Sequence, residues 1–132
     1  MALRNTATYT AAAIGAADAN TPMWFCKDFK NCTLTFFATW ATATVKVYGS
    51  SMEDRPDLDS AASATNEYVA IETINADTWD IVDWATGIAR TWTATNIVKY
   101  TVNNDGLNWI GVEMTARTAW SVIVKVDMYD NS

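Results

Sequence analysis

Strict alternation of apolar and polar residues near the C-terminus predicts a half-buried β-strand. In residues 119–129 the odd-numbered positions include Ser121, Lys125 and Asp127. The even-numbered positions are Trp120, Val122, Val124, Val126 and Met128. Side chains of a strand point alternately to its two faces, so the even face should meet the core.

Two further segments upstream alternate in the same way. Residues 107–115 place Ile110, Val112 and Met114 on one face, and residues 97–103 alternate apolar with polar positions. Between them, Asn104-Asp105-Gly106 supplies residues that tolerate positive φ. The pattern predicts a β-hairpin here and, with the last strand, an antiparallel meander in the C-terminal third.

The first half of the chain repeats this alternation less regularly. Residues 32–40 and 44–48 alternate as strands, another strand is expected around 67–74, and a weaker one around 87–93. The polar, acidic stretch 49–66 is too poor in hydrophobic periodicity for a strand, so we expect it to be a long excursion over the domain. About eight strands without a strong amphipathic helix predict an all-β fold, a two-sheet antiparallel sandwich of jelly-roll or immunoglobulin-like type.

The N-terminal segment differs from the rest of the chain in its composition. Residues 1–20 are rich in Ala and Thr and have no large apolar face, although residues 6–10 alternate enough for a short strand. They are expected to form an N-terminal arm. At 132 residues the chain suits one domain, so residues 21–132 are predicted to be a single β-sandwich.

Charge and hydropathy narrow the classes of partner. The formal net charge is −6, and the basic residues are scattered without forming a stripe, which disfavours binding to nucleic acid or to an anionic membrane. Apolar runs fall short of the roughly 18 residues that a membrane span needs. The start Met1-Ala2-Leu3-Arg4 leads into Thr and Ala, so no cleaved secretory leader is predicted.

The residue types needed for common catalytic and metal sites are scarce. The chain has no histidine, which removes acyl-transfer triads, most zinc sites and much acid–base chemistry. Cys26 and Cys32 are too few for a disulfide framework or a four-ligand metal site. We expect free buried thiols, with a local disulfide as the alternative, and we expect neither a catalytic residue nor a cofactor nor a metal.

Two groups of aspartates could serve chemistry but have simpler explanations. The first lies in the acidic excursion and could bind calcium, yet it lacks the EF-hand spacing, so a solvated loop is favoured. The second could act as paired carboxylates in glycoside cleavage, but acidic side chains are common on connecting loops. The groups are Asp54, Asp57 and Asp59, and Asp77, Asp80 and Asp83.

Some of the seven tryptophans are candidates for an exposed contact surface. Trp40 and Trp120 fall on the core parity of their strands. The others could stack on sugars, but exposed aromatic side chains more often mark protein contacts. The predicted protein-interface residues, including two from the arm, are Tyr9, Ile14, Trp79, Trp84 and Trp109.

Several segments of residues 31–129 carry a resemblance to a known group of proteins. They are Asn104-Asp105-Gly106-Leu107-Asn108-Trp109-Ile110, Thr115-Ala116-Arg117-Thr118-Ala119, Val122-Ile123-Val124-Lys125-Val126, Val45-Lys46-Val47-Tyr48-Gly49-Ser50, Pro56-Asp57, Ala61-Ala62-Ser63-Ala64-Thr65-Asn66 and Tyr68-Val69. Together they resemble small β-sandwich proteins encoded in phage structural modules. The resemblance implies a virion protein, such as a capsid cement or decoration subunit, and carries over no catalytic residue.

The leading hypothesis is therefore a non-enzymatic capsid cement protein on the virion surface, made in the host cytoplasm. Its expected partners are the major capsid protein and further copies of itself, as a dimer or a trimer, with no nucleic acid and no membrane. One rival is a carbohydrate-binding or receptor-binding module of a tail or fibre protein. Another is a histidine-free carboxylate hydrolase.

Overall fold

All regular structure in the described residues is β-strand. The computed structural model describes residues 4–11, 19–29, 31–38, 41–75, 81–83, 88–92, 96–102, 106–115 and 122–129. Twelve strands occur in them: β1 (Arg4–Ala11), β2 (Ala19–Asn20), β3 (Trp24–Phe25), β4 (Asn31–Ala38), β5 (Ala41–Ser50), β6 (Val69–Ala70), β7 (Glu72–Asn75), β8 (Ile81–Asp83), β9 (Ile88–Trp92), β10 (Asn96–Val102), β11 (Trp109–Thr115) and β12 (Val122–Tyr129).

The strands form two antiparallel sheets. Sheet A has the order β1-β12-β4-β10-β7-β8, and sheet B has the order β2-β11-β5-β6, with β3 also beside β11 and β9 also beside β5. The predicted two-sheet all-β sandwich is therefore confirmed. The sequence pattern suggested about eight strands, and most of the additional ones are two or three residues long, which is too short for an alternation to be recognised.

The strand pairing is nested from the ends of the chain inward, which distinguishes the two sandwich types that the sequence left open. Strand β1 pairs with β12, β2 and β3 with β11, β4 with β10, and β5 with β9. Successive pairs lie alternately in sheet A and sheet B. The two halves of the chain thus pair strand by strand, and the pairs alternate between two facing sheets. This topology is a jelly roll.

The nested pairing contradicts the predicted C-terminal hairpin and meander. Strand β10 lies in sheet A beside β4 and β7, whereas β11 lies in sheet B beside β5, so the two do not pair. Both strands contribute side chains to the core: Tyr100 in β10 and Val112 in β11 are at most 2 % exposed. Each sheet supplies one wall of the same core, so the chain crosses between sheets at this turn. Gly106 takes a φ of +76°, as the turn chemistry predicted.

The core lies between the two sheets and follows the predicted parity. Val122, Val124, Val126 and Met128 of β12 are at most 1 % exposed, and their odd-numbered neighbours are partly exposed. The central strand β4 contributes Leu34 and Phe36, and sheet B contributes residues of β5 and β11. The described part of the strand predicted at 119–129 is thus confirmed, while Trp120 lies outside the described residues.

The predicted N-terminal arm is wrong for the residues that the structure describes. Strand β1 pairs with β12 over eight consecutive residues, and β2 pairs with β11. Ala7 and Tyr9 pack against the main core. The segment lacks a large apolar face, but an edge strand can be held by backbone hydrogen bonds along a neighbour, and small alternating residues suit that position.

Candidate functional site

The connection between β5 and β6 packs on the outer face of sheet B at β11. The excursion predicted at 49–66 is confirmed as a loop, although Gly49 and Ser50 still belong to β5, so that the loop runs over residues 51–68. Leu58, near its centre, is buried together with Met23 and Trp109 in a second small core. This core lies on the opposite side of sheet B from the main one.

Asn66 holds the loop in one conformation. Its Nδ2 donates to the carbonyl oxygens of Asp57 at 3.0 Å, Ser60 at 3.3 Å and Ala61 at 3.1 Å, and its Oδ1 accepts from the Asp57 N–H at 2.8 Å. The Tyr68 hydroxyl donates to the Ser60 carbonyl at 2.7 Å. The loop is therefore compact and is tied together by its own side chains.

The beginning of the loop is anchored to β11. The Trp109 indole Nε1 donates to the Met52 carbonyl at 3.0 Å. Asn108 Nδ2 donates to the same carbonyl at 2.8 Å and to the Ser51 carbonyl at 3.1 Å. These bonds satisfy polar groups that the covering loop removes from water.

Met23 and Leu58 can lie close to β11 because residue 111 is a glycine. A Cβ at this position would lie 2.5 Å from Met23 Sδ and 2.9 Å from Leu58 Cδ1. Any larger residue would therefore push these side chains away from the sheet. The absence of a side chain in the middle of β11 is what allows the second core to form.

Two exposed side chains contact the buried tryptophan and form the outer surface of this region. Phe25 is 37 % exposed and meets the Trp109 ring edge-on, with ring centroids 5.1 Å apart. The Arg55 guanidinium lies 5.2 Å from the Trp109 ring centroid, in cation–π range. We call the surface made by Phe25, Arg55, Trp109 and loop residues 51–68 the platform.

A groove of about 340 Å³ adjoins the platform, between residues 20–23 and 55–59. Asn20 lies at its side, and its Nδ2 donates to the Leu58 carbonyl at 3.0 Å and to Asp59 Oδ1 at 2.9 Å. The Oδ1 atom of Asn20 is buried without a hydrogen-bond partner. The groove is therefore mixed in character, with amide, carboxylate and guanidinium groups at its rim.

Of the three aspartates in the loop, Asp54 is exposed, and Asp57 and Asp59 accept hydrogen bonds. Asp57 Oδ1 accepts from the Asp59 N–H at 2.9 Å, and its Oδ2 accepts from Ser60 Oγ at 3.2 Å. Asp59 accepts from Asn20, as described above. In the part of the chain that the structure covers, no three His, Cys, Asp or Glu side chains converge as metal ligands. Asp77 and Asp80 lie outside the described residues, and Asp83 ends β8.

Cys26 and Cys32 are not joined in a disulfide, as predicted, and both are buried with no exposed surface. The Cys26 thiol lies 3.7 Å from the Leu107 carbonyl oxygen, to which it can donate. Burial raises the pKa of Cys26 from its ordinary 9.0 to about 11. Burial raises the pKa of Cys32 as well, and the neighbouring Cys26 and Asp127 add to the shift. Both thiols are therefore protonated and weakly nucleophilic at neutral pH.

Of the predicted interface residues, the structure describes Tyr9 and Trp109, which lie in different sheets. Trp109 was expected at an exposed contact, but it is 9 % exposed because the loop covers it. Tyr9 lies in β1, half-buried against the core. Ile14, Trp79 and Trp84 lie outside the described residues.

The exposed platform residues are ones that sequence reasoning missed. Phe25 belongs to a two-residue strand without any alternating run, so nothing marked its face. Arg55 carried a weak signal, because it is the one basic residue in the acidic stretch 49–66. Asn66 had no signal beyond its residue type.

Comparison with known proteins identifies the fold. No protein-family model and no curated protein matches the chain. The solved structure of the SPBc2 prophage-derived protein YomS is similar, with a TM-score of 0.65 and 12 % identity, and the match covers 96 % of this chain and 95 % of that one. The PBSX exported protein XepA is similar at a TM-score of 0.64 and 12 % identity, over 96 % of this chain and 38 % of that one. At this identity the likeness establishes a shared fold.

Helices capable of crossing a membrane are absent from the described residues.

Proposed function

We propose that this chain is a structural protein of a phage particle, most specifically a capsid cement subunit that bridges major capsid proteins on the outer shell. One solved structure with the same fold is prophage-derived by its name, and it matches this chain over nearly its whole length. Phage origin is common to this neighbour and to the resemblance carried by the sequence.

The observation that carries the proposal is the platform. Arg and aromatic residues are enriched in protein interfaces, and here the exposed Arg55 and Phe25 both contact the buried Trp109 ring. The loop beneath them is already fixed by Asn66 and Trp109, so little conformational entropy would be lost when a partner binds. A prearranged surface of this kind suits attachment to a fixed site on a shell.

The remaining features agree with a binding role. The net charge of −6 disfavours contact with nucleic acid or anionic membranes, and a chain without histidine lacks the commonest acid–base group. We therefore propose a non-enzymatic protein on the capsid surface, with the major capsid protein and further copies of the chain as partners.

The test is to measure whether the protein binds particles and in what number. Purified protein is mixed with shells of the phage that encodes it and sedimented, and its copy number in native virions is determined by quantitative mass spectrometry. A cement protein is expected to co-sediment and to be present in hundreds of copies. Absence from virions, or a handful of copies, would contradict the cement role.

A second candidate is a carbohydrate-binding or receptor-binding module of a tail or fibre protein. The groove beside the platform favours it, because amide, carboxylate and guanidinium groups at a groove rim can hydrogen-bond sugar hydroxyls. A glycan array separates the two candidates. Saturable glycan binding that is lost in Arg55→Ala would favour the module, and a low virion copy number would agree with it.

A further inference from the structure

Among the described strands, β1 lies at one edge of sheet A. It is the first strand in the order of that sheet and pairs with β12 alone among the described strands. The register runs without a bulge from Arg4 opposite Tyr129 to Ala11 opposite Val122. In an antiparallel strand, alternate residues direct both backbone polar groups to the same side, so about four of the eight residues of β1 present theirs outward.

The other strands at sheet edges are shorter or carry a charge. Strands β2, β3 and β6 have two residues each and β8 has three. Strand β9 has five residues, with Arg90 in the middle. Natural proteins protect edges by such short strands, by charged side chains, by proline or by bulges. Among the described strands, β1 is the one long edge that has none of these protections between Asn5 and Ala11.

The side chains of β1 also permit close approach of another strand. Thr6, Thr8 and Thr10 are exposed on the outer face, while Ala7 and Tyr9 lie half-buried on the core side. No formally charged residue occurs from Asn5 to Ala11, although the whole chain carries a net charge of −6. Two copies can therefore meet at this edge without local repulsion.

We propose that β1 pairs antiparallel with β1 of a second copy around a two-fold axis, so that sheet A continues from one subunit into the next. A second copy is the partner that the edge fits, because two-fold pairing places uncharged threonines opposite each other, and Thr–Thr pairs across strands are favourable. The inference deepens the homo-oligomer named above and rests on that proposed function. An eight-residue edge is a small interface, so the dimer should be weak and concentration-dependent.

Analytical ultracentrifugation of the full chain tests the proposal without phage particles. The two-fold registers that use most of β1 place residue 7 or residue 8 on the axis. In both, the double variant Thr6→Lys/Thr8→Lys puts lysines opposite or beside lysines of the other copy. The matched control Thr65→Lys/Thr101→Lys adds the same charge at two exposed threonines away from this edge. Circular dichroism and thermal melts verify that every variant folds.

The wild-type chain and the control are expected to dimerise alike, whereas the β1 variant should dimerise about tenfold more weakly or remain monomeric. A wild-type chain that is monomeric at every concentration overturns the proposal, and so does an oligomer that both variants leave intact. Because this assay uses isolated protein, its failure leaves shell binding intact, and a failure of shell binding leaves the dimer measurable.

Discussion

Strands β11 and β12 are neighbours in sequence and both alternate, yet their surroundings differ. Strand β12 in sheet A has one buried face and one partly exposed face along its entire length. Strand β11 in sheet B is buried on both faces over its first four residues, Trp109 to Val112. The difference arises because the loop 51–68 and the segment around Met23 lie on the outer side of β11. Alternation identifies the face that meets the core, but it does not reveal whether a distant loop covers the other face.

The largest effect is expected from a charge in the core shared by both strands. Val124→Asp places a carboxylate where the native side chain has no exposed surface, between the two sheets. An unpaired buried charge should prevent folding or destabilise the protein by about 4 kcal/mol or more. Lys125→Ala, on the partly exposed face of the same strand, should change stability by less than about 0.5 kcal/mol. Equal urea midpoints for the two variants would contradict the assigned parity.

A cavity in the second core, on the outer side of sheet B, should destabilise the protein less than the buried charge does. Leu58→Ala removes a side chain that is 6 % exposed and packs with Met23 and Trp109. We expect a loss of about 3 kcal/mol in the free energy of unfolding. Thr65→Ala in the same loop is exposed and serves as the control. If Leu58→Ala cost no more than the control, the loop would not be packed on β11.

The loop can also be loosened without touching the core. Asn66→Asp keeps the size of the side chain and an acceptor for the Asp57 N–H, but it removes the donor to three carbonyl oxygens. A loss of about 2 kcal/mol is expected. Amide hydrogen exchange should accelerate in residues 51–68 and stay unchanged in β12. Acceleration throughout the molecule would instead mean that the loop and sheet A open together.

The smallest predicted effect concerns alkaline pH. The pKa of Cys26 is about 11 in the folded protein and has its ordinary value of 9.0 when exposed. As the pH rises, the unfolded chain therefore releases this proton first. The stabilisation that the buried thiol provides is fully present below pH 9 and is lost as the pH rises toward 11. At pH 10 the loss is about 1.4 kcal/mol. The free energy of unfolding of wild type and of Cys26→Ala is measured from pH 7 to 10, and the difference between the two curves gives the contribution of Cys26. Parallel curves would refute the burial of this thiol.

Local patterns predicted the sandwich, the parity of β12 and the position of the long loop, because each depends on a few consecutive residues. The pairing of the strands could not be predicted from local patterns. The turn at Gly106 was recognised from its residues, yet a turn of this chemistry can join neighbours in one sheet or cross between two sheets. The jelly roll is decided by contacts such as Thr6 with Asp127, which lie 121 residues apart. No local signal carries that information.

The platform was unpredictable for a similar reason. Trp109 was recognised as unusual because it lies on the outer face of its strand, but a residue on that face is exposed unless something covers it. Covering it required Gly111 beneath Met23 and the hydrogen bonds of Asn66 within the loop. The loop buries Trp109 and leaves Phe25 and Arg55 at the surface in its place. The contact surface is thus a product of tertiary packing.

The most direct test compares shell binding through the platform with binding through the outer face of sheet A. Phe25→Ala/Arg55→Ala removes one apolar and one cationic side chain from the platform, and Ile123→Ala/Lys125→Ala removes the same two kinds from the outer face of β12. Both proteins are titrated onto shells and measured by sedimentation after their folding is verified. Affinity is expected to fall about tenfold or more for the platform variant and to stay near wild type for the sheet A variant. Undiminished binding by the platform variant, or loss confined to the sheet A variant, would contradict it.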